Sequence, residues 1–403
     1  MFILIFAPGF YLDPFKQGIS IDVLRIMFPY LALISLVAFA GGIQNTHQKF
    51  SIPAFTPVVF NLSLIIAAIF IAPNYDMPIY VLAWSVIIAG ILQLLIQISP
   101  LVNINRLPIP KLDLQNPGVR KFFKLILPAV LAGGIIQINL LIDTIFASLL
   151  ETGSPTWLYV SDRLIQFPMG IFAIAIGTVL LPTLSNLNSV NDKGKFILNI
   201  KKGQRFVLFI GLPSLIGLFF CAEDLISTIF YRGEFTELDV IKSSYSLMAF
   251  SIGLPFFMLM KVLTPAFFAR KDTKTPMYVA LLSLLFNASL NYLLAFVLGY
   301  GHIGLAIGSS IAALVSVIIL EIILYKDGFI QIRGLFNKFN FIILLSSIFL
   351  IVFLNFYTTK TNFFEFNQIE RIIYLSIEIS VSIFIYFFIA RFLNGKPLRT
   401  LFN

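Results

Sequence analysis

Apolar runs near or above the roughly 18–25 residues that cross a hydrocarbon core recur along the whole chain, each closed by a short polar turn. Eleven can be counted, at 23–45, 54–73, 78–101, 121–150, 156–187, 204–221, 241–268, 276–299, 303–325, 338–357 and 368–393. A soluble core cannot hide that much apolar surface, since 59% of the 403 residues are hydrophobic, 12% are charged and 44 are phenylalanine. A helix satisfies its own backbone polar groups where water is absent. The expected fold is therefore an all-α polytopic membrane protein with about eleven transmembrane helices.

The net charge of +9 would suit a nucleic-acid partner, but its distribution argues for a membrane. With alternate loops on alternate sides, twenty of the 28 lysines and arginines fall on one side. The positive-inside rule makes that side, and the C-terminus, cytoplasmic. Loop 222–240, with Glu223, Asp224, Glu234, Glu237 and Asp239, then lies outside. The single Cys221 rules out an intrachain disulfide, and His47 and His302 are too few for a metal cluster. No Walker A loop, HExxH or GxSxG is present, so ATP hydrolysis and the commonest hydrolase chemistries lack a motif. We expect a transporter and not an enzyme, with no cofactor and no nucleic acid.

Two stretches align without a gap at an offset of 226, Pro29 over Pro255 and Phe60-Asn61-Leu62-Ser63-Leu64 over Phe286-Asn287-Ala288-Ser289-Leu290. Farther on, Leu82-Ala83 aligns with Leu305-Ala306 at an offset of 223. Three spans in the same orientation on each side imply parallel, pseudo-symmetric lobes. The expected organisation is an N-lobe over 1–102, a cytoplasmic linker over 103–117, a six-helix C-lobe over 118–327 and two extra helices over 328–403. Three spans precede the second copy and only 21 residues the first, so symmetry leads us to expect an N-terminally truncated product.

Polar groups inside spans carry the functional expectation, because a charge at mid-bilayer costs roughly 2.5–3.5 kcal/mol on insertion scales. In Trp157 to Ser185, Asp162, Arg163 and Gln166 open an otherwise apolar helix. Three- and four-residue spacing lets them share one helical face or its flank. Pro168 should kink that helix and free an acceptor beside the arginine. A guanidinium binds phosphate bidentately and stays ionised when partly buried, which suits a diphosphate; a structural Asp162–Arg163 ion pair is the alternative. In the preceding span Asn139 and Asp143 are four apart, near Gln137, and Asn287 and Asn291 repeat that spacing. One carboxylate with two amide oxygens could cage Na+, Asp143 could titrate H+, or the amides could simply bond helices together. Lys261 is expected to snorkel, Glu378 to pack against the preceding helix, and Gly304-Leu-Ala-Ile-Gly308 to permit close helix approach.

FPYLALISLVAFAGGIQNTHQKFSIPAF, LPAVLAGGIIQINLLIDTIFAS, SDRLIQFPMGIFAIAIGTVLLPTLS, IFYRGEFTELD and LTPAFFARKDTKTP together resemble the MurJ (MviN) family of lipid II flippases, within the MOP/MATE-like superfamily. The resemblance implies fourteen helices in the family, two six-helix lobes plus two, working by alternating access. It implies a lipid II cargo, undecaprenyl-diphosphate-linked disaccharide pentapeptide, moved to the outer leaflet of the bacterial cytoplasmic (inner) membrane for peptidoglycan synthesis, with membrane lipids and cell-wall synthesis proteins as partners. Arg163 falls on the family's essential arginine and would bind the diphosphate, with Asp162 on its acidic neighbour. Thr156 stands where some members carry a cavity serine, and Gln166 where certain members carry glutamate. Asp143, Asn287 and Asn291 look like the family's sodium site, and helices 338–393 like its groove for the polyprenyl tail. The family's first two helices and most of its third, with further arginines, have no counterpart here, so the chain is expected not to flip lipid II alone. The rival expectations are an oligosaccharide-lipid or drug exporter, a membrane enzyme acting on polyprenyl diphosphates, and a non-transporting fragment.

Overall fold

The computed structural model describes residues 2–107, 134, 137–330, 338–359 and 361–395. It divides into two compact units, Met1–Pro128 and Ala129–Asn403. Most of the expected linker and the start of the expected span 121–150 lie outside the described residues; that span is helical over 137–148. Ten helices among the described residues are long and apolar enough to cross a membrane.

In the first unit, two short helical turns lead into α1 (Pro14–Met27), α2 (Tyr30–Thr46), α3 (Ser51–Ile66) and α4 (Pro78–Asn103). Asp13 starts α1 by accepting hydrogen bonds from the Phe15 and Lys16 amides, which would otherwise be orphaned at the helix end. A π-helical turn, Ala67–Ile71, and a 3₁₀ turn, Ala72–Asn74, separate α3 from α4. Helix α4 packs against both α2 and α3, which hardly touch each other.

The second unit contains α5 (137–148), α6 (Ser154–Pro168), α7 (Ala175–Ser189), α8 (Lys193–Phe220), α9 (Ala222–Phe230), α10 (Glu237–Phe268), α11 (Lys274–Tyr292), α12 (Gly301–Lys326), α13 (Lys338–Thr358) and α14 (Gln368–Asn394). Reciprocal capping boxes start α10, through Thr236 and Asp239, and α14, through Asn367 and Glu370. Asp192 caps α8, and the Lys195 amide it accepts holds its carboxyl below the usual range. Helix α10 forms the middle of the core, with Leu247, Leu254, Met258, Val262 and Leu263 buried among Leu184, Phe196, Ile200, Val207 and Leu320. Lipid tails are as apolar as these side chains, so close contact and interhelical hydrogen bonds hold the bundle. Two such bonds run from Ser161 Oγ to the Ser243 carbonyl, 2.7 Å, and from Ser310 Oγ to the Ala249 carbonyl, 2.8 Å.

The internal repeat is visible in the elements themselves. The π turn Ala67–Ile71 has its counterpart at Leu293–Val297, an offset of 226 at both ends. Helices α4 and α12 start and finish at an offset of 223. The 3₁₀ turn Ala72–Asn74, which the second copy lacks, accounts for the difference. Packing repeats too: α12 packs against α10 and α11, which barely meet. One departure is local, since Pro29 stands between α1 and α2 whereas Pro255 sits inside the continuous α10.

Helices α13 and α14 run antiparallel, tied at one end by Lys338 Nζ to the Asn394 carbonyl, 3.0 Å, and at the other by Tyr357 Oη to the Tyr374 carbonyl, 3.3 Å. They seat on α8, where Tyr386 packs on Phe209 and donates to its carbonyl, 2.9 Å.

Candidate functional site

Helix α6 presents one exposed stripe. Thr156, Tyr159, Arg163 and Gln166, spaced three or four apart, are all exposed, while Trp157, Val160, Ser161 and Ile165 are buried on the opposite side. That division follows the helical period of 3.6. Arg163 lies nine residues past Ser154, roughly 14 Å along a span at 1.5 Å per residue, and therefore well within the apolar stretch.

The alternative, an Asp162–Arg163 ion pair, is not formed among the described residues. Gln166 Nε2 donates to Asp162 Oδ2 at 2.8 Å, and no carboxylate among the described residues lies within ion-pair distance of Arg163. The guanidinium instead lies over the Tyr159 ring, 4.7 Å from its centroid. Such a cation–π contact, about 0.5–1 kcal/mol where exposed, orients the group while leaving its donor edge open. The sequence reading missed Tyr159, although its position four residues before Arg163 is the available signal.

Pro168 closes α6, and a π-helical turn, Met169–Ile174, follows before α7. The expected disturbance of the helix is thus a local change of winding, as a ring without an amide hydrogen promotes.

The expected polar set around Asp143 does assemble, across α5, α11 and α12. Asn291 Nδ2 donates to Asp143 Oδ1 at 2.7 Å and to Asn287 Oδ1 at 3.1 Å. Asn139 Nδ2 donates to Asp143 Oδ2 at 3.3 Å, and Asn287 Nδ2 reaches Ser309 Oγ at 3.1 Å. Gln137 is exposed and stands outside this set. One acceptor is left over, because the fully buried Asn291 has no partner for Oδ1 among the described residues. Asp162 lies within electrostatic range of Asp143, which brings the α6 stripe close to this network.

Gly308 makes room for the network. A Cβ there would collide with Asn291 Oδ1, and one at Gly304 would stand 2.7 Å from the Ala295 amide nitrogen. The Gly304–Gly308 pair therefore allows the close approach of α12 to α11 and its π turn that the motif suggests.

The first unit carries its own buried amides, which the sequence reading passed over. Gln44 Nε2 donates to Gln97 Oε1 at 2.9 Å, and Gln97 Nε2 to the Val37 carbonyl at 3.1 Å. Gln93 Nε2 donates to the Thr56 carbonyl at 2.9 Å. Their four-residue spacing on α4 was the clue. Lys261 is exposed, in keeping with a snorkelling side chain.

The family described as lipid II flippase MurJ matches residues 1–375. The Probable lipid II flippase MurJ of Vibrio cholerae is 40% identical over 331 residues, covering 80% of this chain. The lipid II flippase MurJ of Burkholderia cenocepacia is 36% identical over 329 residues, covering 81%. The chain spans 63% of the length of each of these two relatives. A solved structure described as lipid II flippase MurJ, inward closed conformation, superposes with a TM-score of 0.79 at 27% identity, covering 97% of this chain and 77% of that one. With the all-helical, many-span architecture and this agreement along almost its whole length, the chain is a multi-pass membrane protein that belongs to the lipid II flippase MurJ family.

Proposed function

We propose that the chain binds lipid II through its diphosphate and takes part in moving it from the cytoplasmic to the outer leaflet by alternating access. The observation that carries this reading is an exposed arginine deep within a span, Arg163, with no carboxylate partner among the described residues. A positive charge kept inside an apolar segment at a cost of roughly 2.5–3.5 kcal/mol is explained by an anionic ligand that repays it. A planar guanidinium held against Tyr159 offers paired donors to phosphate oxygens. Thr156 and Gln166 on the same stripe supply neutral hydrogen-bonding groups, and Asp162, engaged by Gln166, is kept from competing for the guanidinium.

Asp143, Asn287 and Asn291 suit a sodium ion, a hard cation that prefers oxygen ligands. The orphaned Asn291 Oδ1 beside the Asp143 carboxylate fits that role, and a cation would relieve the repulsion between Asp143 and Asp162. When bound, the ion would link the α6 stripe electrostatically to α5 and α11. The basic loops support a cytoplasmic C-terminus, and likeness to the lipid II flippase family supports placement in the bacterial cytoplasmic membrane. Helices α13 and α14 are assigned the polyprenyl tail, and cell-wall synthesis proteins are the natural neighbours for such a cargo.

The test is ligand binding by the purified chain in lipid nanodiscs. Lipid II is expected to bind more tightly than undecaprenyl monophosphate, with little retention of an uncharged polyprenyl lipid. Equal retention of all three, or preference for soluble organic cations, would replace this reading with that of an exporter of other cargo.

A further inference from the structure

A second group of buried charge lies apart from the lipid-binding stripe, where α14 seats against α9. Glu378 of α14 is fully buried, and neither carboxylate oxygen has a hydrogen-bond partner among the described residues. Asp224 of α9, 6% exposed, interacts with it directly and has an unpartnered Oδ2 of its own. The buried Cys221 thiol lies against Glu378 from the α8–α9 junction. Ser382, one turn along α14, also carries a buried hydroxyl without a partner among the described residues.

Glu223 on α9 and Tyr357 on α13 are within electrostatic range, and Tyr374 lies one turn from Glu378 on α14 itself. Arg371, farther toward the outer end, is committed to the Phe363 and Tyr231 carbonyls and the Tyr231 ring. No lysine, arginine or histidine among the described residues forms an ion pair with Asp224 or Glu378. Two ionised carboxylates cannot sit side by side in such a site without a compensating cation.

We propose that Asp224 and Glu378 form a proton-binding site, one proton being held between the two carboxylates where the last helix seats. A metal ion is the poorer occupant, since no group of three histidine, cysteine, aspartate or glutamate ligands is assembled among the described residues. Burial, then the Glu378 charge, then that of Glu223 push the Asp224 carboxyl up to about 8, so the neighbourhood favours the protonated form at neutral pH. The folded state therefore binds more protons than the unfolded one between the ordinary carboxylate range and that value. Its stability falls as pH rises through about 8, when the second charge appears and repels α14 from α9.

Infrared titration of the purified full chain in lipid nanodiscs reads the carbonyl stretch of protonated carboxyl groups. The expected result is a protonated-carboxyl band that persists at neutral pH, is lost as pH rises through about 8, and is lost at lower pH in Glu378→Gln, which removes the neighbouring charge while leaving Asp224 buried. Carbon-13 labelling of aspartate and of glutamate carboxyls in turn in the unmutated chain should shift that band in at least one of the two samples, a readout that does not rely on a variant that fails to fold. Complete loss of the band by about pH 6, no shift on either labelling, or an unchanged titration in Glu378→Gln would overturn the proposal. So would disappearance of the band on adding sodium at fixed pH, which would make the site a sodium site.

Discussion

At the residue scale, the site depends on which polar groups are already occupied. Asp162 is engaged by Gln166, Asn291 donates twice yet keeps a buried oxygen without a partner among the described residues, and Arg163 rests on a ring instead of a carboxylate. If that spare oxygen and Asp143 hold sodium, the melting temperature of the purified chain should rise with sodium and not with potassium. Asp143→Asn, which keeps the shape and removes the charge, should abolish the difference; equal melting in both salts for the parent chain would contradict it. Binding to the native state alone stabilises it by RT ln(1 + [L]/Kd), about 2.7 kcal/mol at a hundredfold excess over Kd, enough to be seen. Asp143, Asn287 and Asn291 were legible in the sequence because four-residue spacing on a helix is a strong geometric statement. Tyr159 was not, since an aromatic side chain in a span is ordinarily packing.

At the element scale, the hydrophobic pattern located the helices and the repeat located their relations. The three-residue change of offset between Phe60 and Leu82 corresponds to one additional 3₁₀ turn, Ala72–Asn74. The π turns were not legible, because an extra residue in one turn leaves hydrophobic content unchanged. Also hidden was the pairing of Gln97 with Gln44 and the Val37 carbonyl, which depends on how α4 lies against α2. Gln97→Leu strands the Gln44 amide, whose side chain is fully buried, and should cost about 1–2 kcal/mol. Gln44→Leu/Gln97→Leu should recover part of that loss. Thermal unfolding in detergent measures both, and a double variant no better than the single one would show that these amides do not act as a pair.

At the scale of the whole molecule, the charge distribution carries the proposed orientation and polar groups within spans carry the proposed function. From the basic loops we expect the turn at Asn191 to face the cytoplasm and Glu234 to face outward. Cys221, the chain's only cysteine, is buried and should remain silent toward a membrane-impermeant thiol reagent. Asn191→Cys should therefore escape labelling in intact cells while Glu234→Cys is labelled; the opposite pattern would invert the topology. Fold class and repeat could be read from the sequence because the membrane restricts the choice of structures so severely. The partners of individual polar groups could not, since they depend on contacts between helices distant in the chain.

Arg163 is the proposed diphosphate ligand, and the most direct test compares lipid II binding by the parent chain, Arg163→Lys and Arg163→Ala in nanodiscs. Removing a charged hydrogen bond worth about 1.5–3 kcal/mol should weaken binding roughly 10- to 100-fold in Arg163→Ala. Arg163→Lys should fall between, because it keeps the charge and loses the paired donors. Unchanged affinity in Arg163→Ala, in a protein that melts as the parent does, would contradict the assignment.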